Sequence, residues 1–363
     1  MRRDLLPALQ LEPNPVWRSY RGGCALRAFR SRADTENDHF PEDWLASTVA
    51  ARNGPYAQRS DEGISWICWN GRKMAVGELL KMEPERMWGN QYRGEVTSPE
   101  LGVLIKLLDA SVRLQVQAHP DRRFVRRYLS GDAGKTECWY IVSTRGPAEV
   151  HLSFQRAPER LEWKRLLQEQ DVAGMLACFE PISVRAGDCF VVPAGVPHAI
   201  GAGILMIELQ EPSDWVVRCE ARNGDLVLPE EQRYLGLDLD TCLDVFDYRA
   251  YPLNAVRECF QQQPRTLAST STFMEEEIIS PHYQEFFRLR RLRGTGPAHW
   301  HGDDIMVMIV TKGEGLLCPG GPEQPVRQGQ TWLLPGWVAE WQWESSIGDW
   351  EILLAQPPPT KVR

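Results

Sequence analysis

Several features that mark other protein classes are missing from this 363-residue sequence. It contains no uninterrupted apolar run of roughly 18 residues, which excludes a membrane-spanning helix. Basic residues do not outnumber acidic ones, since 41 Lys and Arg stand against 49 Asp and Glu. The resulting net charge of −8 argues against a broad nucleic-acid-binding surface, which would need a basic stripe.

The nine cysteines are odd in number and form no C-x-x-C pair. They therefore predict neither a disulfide framework nor a cysteine zinc site, and we expect reduced, mostly buried thiols. The N-terminal sequence MRRDLLPALQLEPNP is too short and too interrupted for the apolar core of a secretory signal. We expect a cytoplasmic protein without nucleic-acid or membrane partners, either a monomer or a homodimer.

Short β-branched and aromatic runs, bounded by Gly, Pro and Asp, dominate the chain from about residue 103. This pattern is typical of antiparallel strands in a barrel or sandwich, and the 29 Gly and 26 Pro of the whole chain provide enough turn residues for such a fold. Before it, we expect a strand at 22–29, a turn or short helix at 40–48 and helical structure at 76–92. The fold class predicted is all-β with helical insertions.

One helical insertion and a second strand-rich block complete the organisation. Residues 155–178 carry Leu161, Leu166, Leu167 and Val172 among charges, which predicts an amphipathic helical insertion. Strand-like runs resume from about residue 272. We therefore expect a catalytic N-terminal domain, a metal barrel within it and a C-terminal β domain, at residues 1–245, about 100–225 and 246–363.

Three segments of the first β-unit carry residues that bind metals. In LQVQAHPD, Gln117 and His119 are two residues apart, so on a strand they point to the same face. Glu137 begins another strand in GKTECWYI, and His198 ends the pattern G-x5-P-x-G-x-x-H in GDCFVVPAGVPHAI. This nitrogen and oxygen set contains no cysteine, which suits Zn²⁺ or another borderline divalent ion and leaves room for water or substrate.

Longer segments around these residues carry a family resemblance, namely PEDWLAST, LIKLLDASVRLQVQAHPDRR, GKTECWYI and VVPAGVPHAIGAGILMIELQEPSDWVVR. Over roughly residues 15–225 the sequence resembles type I mannose-6-phosphate isomerase, a zinc-dependent cupin enzyme. The resemblance implies two jelly-roll β-barrels, the interconversion of mannose 6-phosphate and fructose 6-phosphate through a cis-enediol, and one zinc ion per chain. The zinc ligands that it implies are Gln117, His119, Glu137 and His198.

The resemblance also implies active-site residues. Arg218 in SDWVVR matches the family's active-site arginine, and Lys135 matches an active-site lysine. Asp214 matches an acid proposed to move protons in some members, and Glu208 lies where the family has an acidic residue. An aldose–ketose isomerase must move a proton between C1 and C2, which needs a Lewis acid, a base and cationic groups. Lys135 and Arg218 can supply the cations, and the identity of the base stays open.

One position departs from the family. Gln115 stands where the family usually has a serine that is thought to help bind phosphate. We expect a small sugar phosphate as substrate, with an unphosphorylated sugar as the alternative. Two other classes stay open: a metal-dependent cupin oxidoreductase, which usually has three histidines and a Glu, and a non-catalytic sugar-binding or regulatory cupin.

The C-terminal unit carries half of a metal-barrel pattern. It has His299 and His301, but Glu340 occupies the position of the late histidine. We expect a degenerate, metal-free copy of the first barrel, with an adventitious site at the two histidines as the alternative. The tryptophans are expected to pack in cores, with sugar stacking as the alternative; they are Trp66, Trp69, Trp88, Trp332, Trp337, Trp341 and Trp343.

Overall fold

A computed structural model describes residues 8–32, 36–92, 100–302, 304–318, 323–345 and 348–359. Short strands and helices alternate in its N-terminal region, with single 3-10 turns at Gly54–Tyr56 and Gly89–Gln91. The regular elements there are β1 (Leu9–Gln10), β2 (Pro15–Val16), α1 (Cys24–Phe29), β3 (Glu42–Leu45), β4 (Trp66–Trp69), β5 (Arg72–Ala75), α2 (Val76–Met82) and α3 (Pro84–Trp88).

Two expectations for this region are wrong. The segment 22–29 contains helix α1 instead of a strand, because its Ala, Leu and Arg favour a helix and Leu26 and Phe29 share one buried face. The segment 40–48 contains strand β3 instead of a turn or short helix. β3 is buried at every residue between its partners β2 and a strand at Leu104–Ala110, so strand pairing overrides local propensity.

The next region forms an N-terminal sandwich of two facing sheets. Its elements are β6 (Leu104–Ala110), β7 (Gln117–Ala118), α4 (Arg122–Tyr128), β8 (Glu137–Thr144), β9 (Ala148–Leu152), α5 (Arg160–Glu169), α6 (Val172–Leu176), β10 (Ile182–Val184), β11 (Cys189–Val192), β12 (His198–Ile200), β13 (Ile204–Gln210) and β14 (Val217–Arg218). One sheet has the order β11-β8-β13-β6-β3-β2, and the other has the order β10-β9-β12-β7-β14.

A connecting region and a C-terminal sandwich follow. They contain β15 (Arg222–Asn223), β16 (Leu226–Val227), α7 (Glu230–Arg233), α8 (Leu239–Cys242), α9 (Leu253–Phe260), β17 (Arg265–Ser269), β18 (Phe273–Glu277), β19 (Arg288–Gly294), β20 (Ala298–His301), β21 (Met306–Lys312), β22 (Glu314–Cys318), β23 (Gln324–Arg327), β24 (Thr331–Leu334), β25 (Glu340–Ser345) and β26 (Trp350–Gln356), with 3-10 turns at Leu243–Val245 and Pro281–Tyr283. The sheets run β1-β24-β21-β26-β19-β18-β17 and β20-β25-β22-β23.

The two sandwiches share one strand order. The sheet β11-β8-β13-β6 corresponds in sequence order to β24-β21-β26-β19, and β10-β9-β12-β7 corresponds to β23-β22-β25-β20. This is the jelly-roll arrangement of eight strands in two sheets. The predicted all-β class with helical insertions is therefore confirmed, whereas closure of each sheet pair into a barrel stays a prediction.

Three apolar cores hold these sheets together. The strands β6 and β13 are buried along their whole length because each contributes to two cores. Leu107 and Ile207 pack outward against the seven-stranded sheet, while Leu108 and Met206 pack into the N-terminal sandwich. The interior of the C-terminal sandwich is filled by tryptophans, among them Trp300, Trp332, Trp341 and Trp343.

The predicted helical insertion at 155–178 is present as α5 and α6. Leu166 and Leu167 are buried as expected, but Leu161 is 79% exposed and Trp163 fills the apolar face instead. In the described part of the chain, every helix is too short or too polar to cross a membrane.

The division at residues 245 and 246 stays a prediction. Several contacts cross it, among them the pairing of β1 with β24 of the C-terminal sandwich and the packing of Val256 and Phe260 of α9 into the N-terminal core.

The core between the sandwiches makes a testable contribution to stability. We expect Ile207→Ala to lower the free energy of unfolding by about 2–5 kcal/mol, because a buried side chain is truncated in a packed core. Urea unfolding followed by tryptophan fluorescence measures this loss. The matched control is Leu161→Ala on the exposed face of α5, and an equal loss in both variants would contradict the assignment.

Candidate active site

Three buried side chains converge inside the N-terminal sandwich. His119, Glu137 and His198 place one nitrogen or oxygen atom each within 4.8 Å of one another. His119 Nε2 lies 3.1 Å from Glu137 Oε2, and His198 Nε2 lies 3.4 Å from Glu137 Oε1. Ligands of a tetrahedral zinc with bonds of about 2.0–2.1 Å are separated by about 3.3 Å, so the spacing fits one such ion.

The backbone fixes the orientation of both imidazole rings. His119 Nδ1 lies 2.9 Å from the carbonyl oxygen of Trp215, and His198 Nδ1 lies 2.9 Å from that of Val196. Each Nδ1–H therefore donates to a carbonyl and directs the Nε2 lone pair toward Glu137, as in metal-bound histidines. Burial, together with the nearby Lys135 ammonium, lowers the pKa of His119 to about 3, so the ring is neutral at pH 7.

Glu137 is a fully buried carboxylate with several compensating partners. The indole nitrogen of Trp139 donates to Glu137 Oε1 at 2.8 Å, and the Lys135 ammonium contacts Glu137 Oε2. Burial by itself raises the pKa of Glu137, but Lys135 and the two imidazoles outweigh it and hold the pKa well below its usual range. Lys135 Nζ also lies 2.8 Å from His119 Nε2, so a lysine side chain lies directly beside two of the candidate metal ligands.

Gln117 and Arg218 extend this cluster along one sheet. His198 pairs with Gln117 across β12 and β7, and Gln117 pairs with Arg218 across β7 and β14. Since neighbouring strands lie about 4.8 Å apart, the three residues form a row in which Arg218 is about 10 Å from His198. Gln117 Nε2 donates to His198 Nε2 at 3.2 Å, and rotation of the amide would present its oxygen as a ligand instead.

A glycine turn positions the late histidine. Gly195 in PAGVPH has φ of 90°, a conformation that L side chains rarely adopt, and an added Cβ would lie 3.0 Å from the carbonyl oxygen of Val245. Its backbone N–H donates to the carbonyl oxygen of His119 at 2.7 Å. The turn therefore joins the segments that carry His119 and His198.

A buried charge network lies on the other side of the pocket. Arg18 donates to Glu42 at 2.8 Å and to both carboxylate oxygens of Asp214 at 3.1 Å. Tyr20 and Trp44 also donate to Glu42, at 2.6 and 2.7 Å. Burial raises the carboxyl pKa values, but Arg18, Lys106 and hydrogen bonds together outweigh it and lower the pKa of both Glu42 and Asp214. Both carboxylates are therefore ionised and held in place.

Glu208 has a different environment from Asp214. Lys106 Nζ lies 2.7 Å from Glu208 Oε2 across the β6–β13 register. Burial raises the pKa of Glu208, although Lys106 and Lys135 oppose the shift. The pKa of Glu208 is therefore raised, whereas the pKa values of Glu42 and Asp214 are lowered.

The pocket itself brings together nearly all of the predicted residues. Gln117, His119, Lys135, Glu208, Asp214 and Arg218 line it, and Glu137 and His198 contact them from behind. The pocket is also lined by residues that the sequence motifs did not single out, namely Arg18, Tyr20, Glu42 and Lys106. Lys106 had a usable signal, because it is the single cation in the buried strand LIKLLDA.

Comparisons with known proteins show the family to which the chain belongs. No protein-family model matches the chain. The sequence is 33% identical to YvyI of Bacillus subtilis, assigned to the mannose-6-phosphate isomerases, over 67% of this chain and 71% of YvyI. The chain belongs to the mannose-6-phosphate isomerase family. It is also 29% identical to the mannose-6-phosphate isomerase of Streptococcus mutans serotype c, over 76% of this chain and 78% of that protein.

Solved structures of this family share the fold. The mannose 6-phosphate isomerase of Bacillus subtilis matches 96% of this chain and 99% of its own, with a TM-score of 0.74 and 21% identity. A variant of the phosphomannose isomerase of Salmonella typhimurium matches 95% of this chain and 98% of its own, with a TM-score of 0.67 and 13% identity. The family resemblance predicted from the motifs is confirmed.

Both polar atoms of the Gln115 side chain, at the position that departs from the usual family pattern, already have hydrogen-bond partners. Gln115 Nε2 donates to the carbonyl oxygen of Glu220 at 2.9 Å, and its Oε1 accepts from the Ser19 hydroxyl at 3.4 Å. Arg113, a cation near this position, forms an ion pair with Glu220 at 2.7 Å. Neither side chain is therefore free to receive an anion.

The candidate metal residues of the C-terminal sandwich lie elsewhere. His299 and His301 are exposed on β20, and the intervening Trp300 points into the core. His301 pairs with Glu340 across β20 and β25. Within the described residues, the cluster in the N-terminal sandwich is the one group of three or more ligands at metal-binding spacing.

The network around Glu42 predicts a pH-dependent stability. We expect Glu42→Gln to lower the free energy of unfolding at pH 7 by about 3–5 kcal/mol, because a buried ion pair with Arg18 is broken. Since the folded-state pKa of Glu42 is lowered, its contribution is complete above the unfolded pKa of about 4.3 and is lost as the pH falls below it. The difference between wild type and variant should therefore shrink from pH 6 toward pH 3.

Chemical unfolding over this pH range measures the effect. The matched control is Glu258→Gln, an exposed residue of α9 that should leave stability unchanged at every pH. A difference that stays constant between pH 6 and pH 3 would contradict the assignment.

Proposed function

We propose that this protein is a zinc-dependent aldose–ketose isomerase that interconverts mannose 6-phosphate and fructose 6-phosphate through a cis-enediol. The observation that carries the proposal is the buried cluster of His119, Glu137 and His198 beside the unpaired guanidinium of Arg218, in a member of this family. The nine free cysteines support a cytoplasmic location. A monomer or homodimer is the expected assembly.

One zinc ion would be held by Gln117, His119, Glu137 and His198. These residues offer two imidazole nitrogens, a carboxylate and an amide oxygen, a donor set that suits Zn²⁺. Bound zinc supplies Lewis acidity, which polarises a carbonyl and orients neighbouring oxygens. His119 and His198 are preset for this role because their Nδ1 atoms are committed to backbone carbonyls.

Glu208 is the carboxyl that we propose for proton transfer between C1 and C2. A base works best when its pKa lies near the working pH, and burial moves the pKa of Glu208 in that direction. Asp214 is held ionised by two bonds from Arg18, which suits a positioning residue better than a proton carrier. Lys106 and Lys135 lie beside the carboxylates as proton donors or stabilisers of oxyanion charge.

Arg218 is proposed to stabilise negative charge on the substrate. Its guanidinium lines the pocket one strand away from Gln117. Burial lowers the pKa of Arg218 to about 10, although Asp214 opposes the shift, so the side chain is still cationic at pH 7. A half-buried cation that is held in place interacts more strongly than a solvated one with charge that develops in a transition state.

Removal of one metal ligand tests the zinc site. We expect His198→Ala to lose the bound metal and nearly all isomerase activity, since one of the two imidazoles is removed. Metal analysis of the purified variant measures the loss. His299→Ala in the C-terminal sandwich is the control and should keep the metal, and full zinc occupancy in His198→Ala would sink the assignment.

The role of Arg218 predicts a kinetic effect without metal loss. We expect Arg218→Ala to keep its zinc while kcat for mannose 6-phosphate falls about 100-fold or more, the magnitude for loss of a group that stabilises transition-state charge. Steady-state kinetics with parallel zinc analysis measures both quantities. An unchanged kcat would show that Arg218 does not act on the substrate.

The overall proposal is tested by an isomerase assay of the zinc-loaded protein with hexoses and hexose 6-phosphates. We expect turnover of mannose 6-phosphate with a much higher kcat/KM than mannose, because the phosphate adds charge-assisted contacts. Equal kcat/KM values would redirect the function to an unphosphorylated sugar. Absence of isomerisation with every sugar would instead favour a binding protein.

A further inference from the structure

The inner pocket adjoins an outer pocket. The two share Ser19 and Arg218, and the outer pocket is further lined by Arg52, Trp215 and Pro229. A sugar whose C1 and C2 oxygens lie at the metal ligands, and which extends along the row from Gln117 to Arg218, would place its far end at the outer pocket. The outer pocket is therefore the place where a group on C6 would lie.

Most cations around the two pockets are already neutralised. Arg18, Lys106, Lys135 and Arg113 each lie against a carboxylate, those of Glu42, Glu208, Glu137 and Glu220. Among the described residues, the guanidinium groups of Arg52 and Arg218 form neither an ion pair nor a hydrogen bond. A dianion that enters here therefore meets two cations with free N–H donors.

Arg52 is held in place by contacts that leave its donors free. Its guanidinium carbon lies 3.4 Å from the ring centroid of Trp215, and its backbone N–H donates to Asp214 at 2.8 Å. A guanidinium that stacks on an indole keeps its N–H groups at the edge of the stack. The same Trp215 accepts a hydrogen bond from His119, so Arg52 is positioned relative to the metal cluster.

The Ser19 hydroxyl lies next to Gln115, the position that departs from the family pattern, and it lines the outer pocket together with the two arginines. The Ser19 hydroxyl is 3.4 Å from the amide oxygen of Gln115 and lines both pockets. Rotation of this hydroxyl would let it donate to a ligand in the outer pocket instead. Ser19 thus provides a hydroxyl close to Gln115, where the family usually has a serine.

We propose that Arg52 and the Ser19 hydroxyl bind the phosphate of a sugar 6-phosphate next to Arg218, and that Arg52 determines the preference for phosphorylated sugars. The inference rests on the proposed isomerase function and assigns its phosphate-binding residues. The guanidinium fork of Arg52 matches two oxygens of a phosphate dianion, and each contact is charge-assisted. An unphosphorylated sugar has no group to occupy the same donors.

Kinetics of the full-length, zinc-loaded Arg52→Ala variant test this inference. We expect KM for mannose 6-phosphate to rise about 10- to 100-fold while kcat changes less than about 3-fold, because Arg52 binds the phosphate equally in ground and transition states. The inhibition constant of inorganic phosphate should rise by a similar factor, and the zinc content should stay complete. Kinetics with mannose should not change. Arg52→Lys, which keeps the charge but not the fork, should recover part of the affinity.

Arg126→Ala is the matched control, since this exposed arginine of α4 pairs with Asp132 and lines a neighbouring groove. It should leave KM unchanged. An unchanged KM in Arg52→Ala, an equal loss toward mannose, or a loss of zinc would each overturn the inference.

Calorimetric binding of mannose 6-phosphate separates this inference from the proposed isomerase function. If wild type binds the sugar phosphate without turnover and Arg52→Ala binds it about 10-fold more weakly, the isomerase function fails and the phosphate site stands. If wild type turns over and Arg52→Ala binds equally well, the isomerase function stands and the role of Arg52 fails.

Discussion

The buried carboxylate of Glu137 is the constraint around which the interior of the N-terminal sandwich is organised. A charge removed from water is costly unless partners replace its hydration. Trp139 and Lys135, which lie close to Glu137 in the chain, provide a donor and a cation, and the two imidazoles face the carboxylate from the opposite sheet. The carboxylate is therefore stable only when both sheets are in register, which couples the metal cluster to the fold.

The need to compensate buried charges also explains how the other charged side chains of the pocket are arranged. Arg18 is held by Glu42 and Asp214, and Lys106 lies against Glu208 and Glu42. Because these charges satisfy one another, they keep their positions and leave few groups free to bind an incoming ligand. Among the described residues, Arg52 and Arg218 line these pockets without an ion-pair partner, and we propose that the selectivity of the site depends on them.

The C-terminal sandwich supports this arrangement, and its described residues contribute no side chain to the pocket. Its seven-stranded sheet covers the outer face of the six-stranded sheet, so β6 and β13 are buried on both faces. Packed cores are rigid and transmit small displacements. Tyr140, on β8, also forms a hydrogen bond to Glu351, on β26, at 3.1 Å, which ties the strand that carries Glu137 to the second sandwich.

The sequence alone determined the candidate metal set, because those ligands follow short-range rules. Gln117 and His119 are two residues apart on one segment, and a Pro and Gly turn precedes His198. The sequence pattern also predicted the main strands, but two interpretations were wrong. The segment 22–29 forms a helix that its Ala, Leu and Arg favour, and at 40–48 strand pairing decides the structure. Only the tertiary structure decided which cations are neutralised. Arg18 and Asp214 are separated by 196 positions in the chain, and electrostatic pairing acts through space rather than along the sequence.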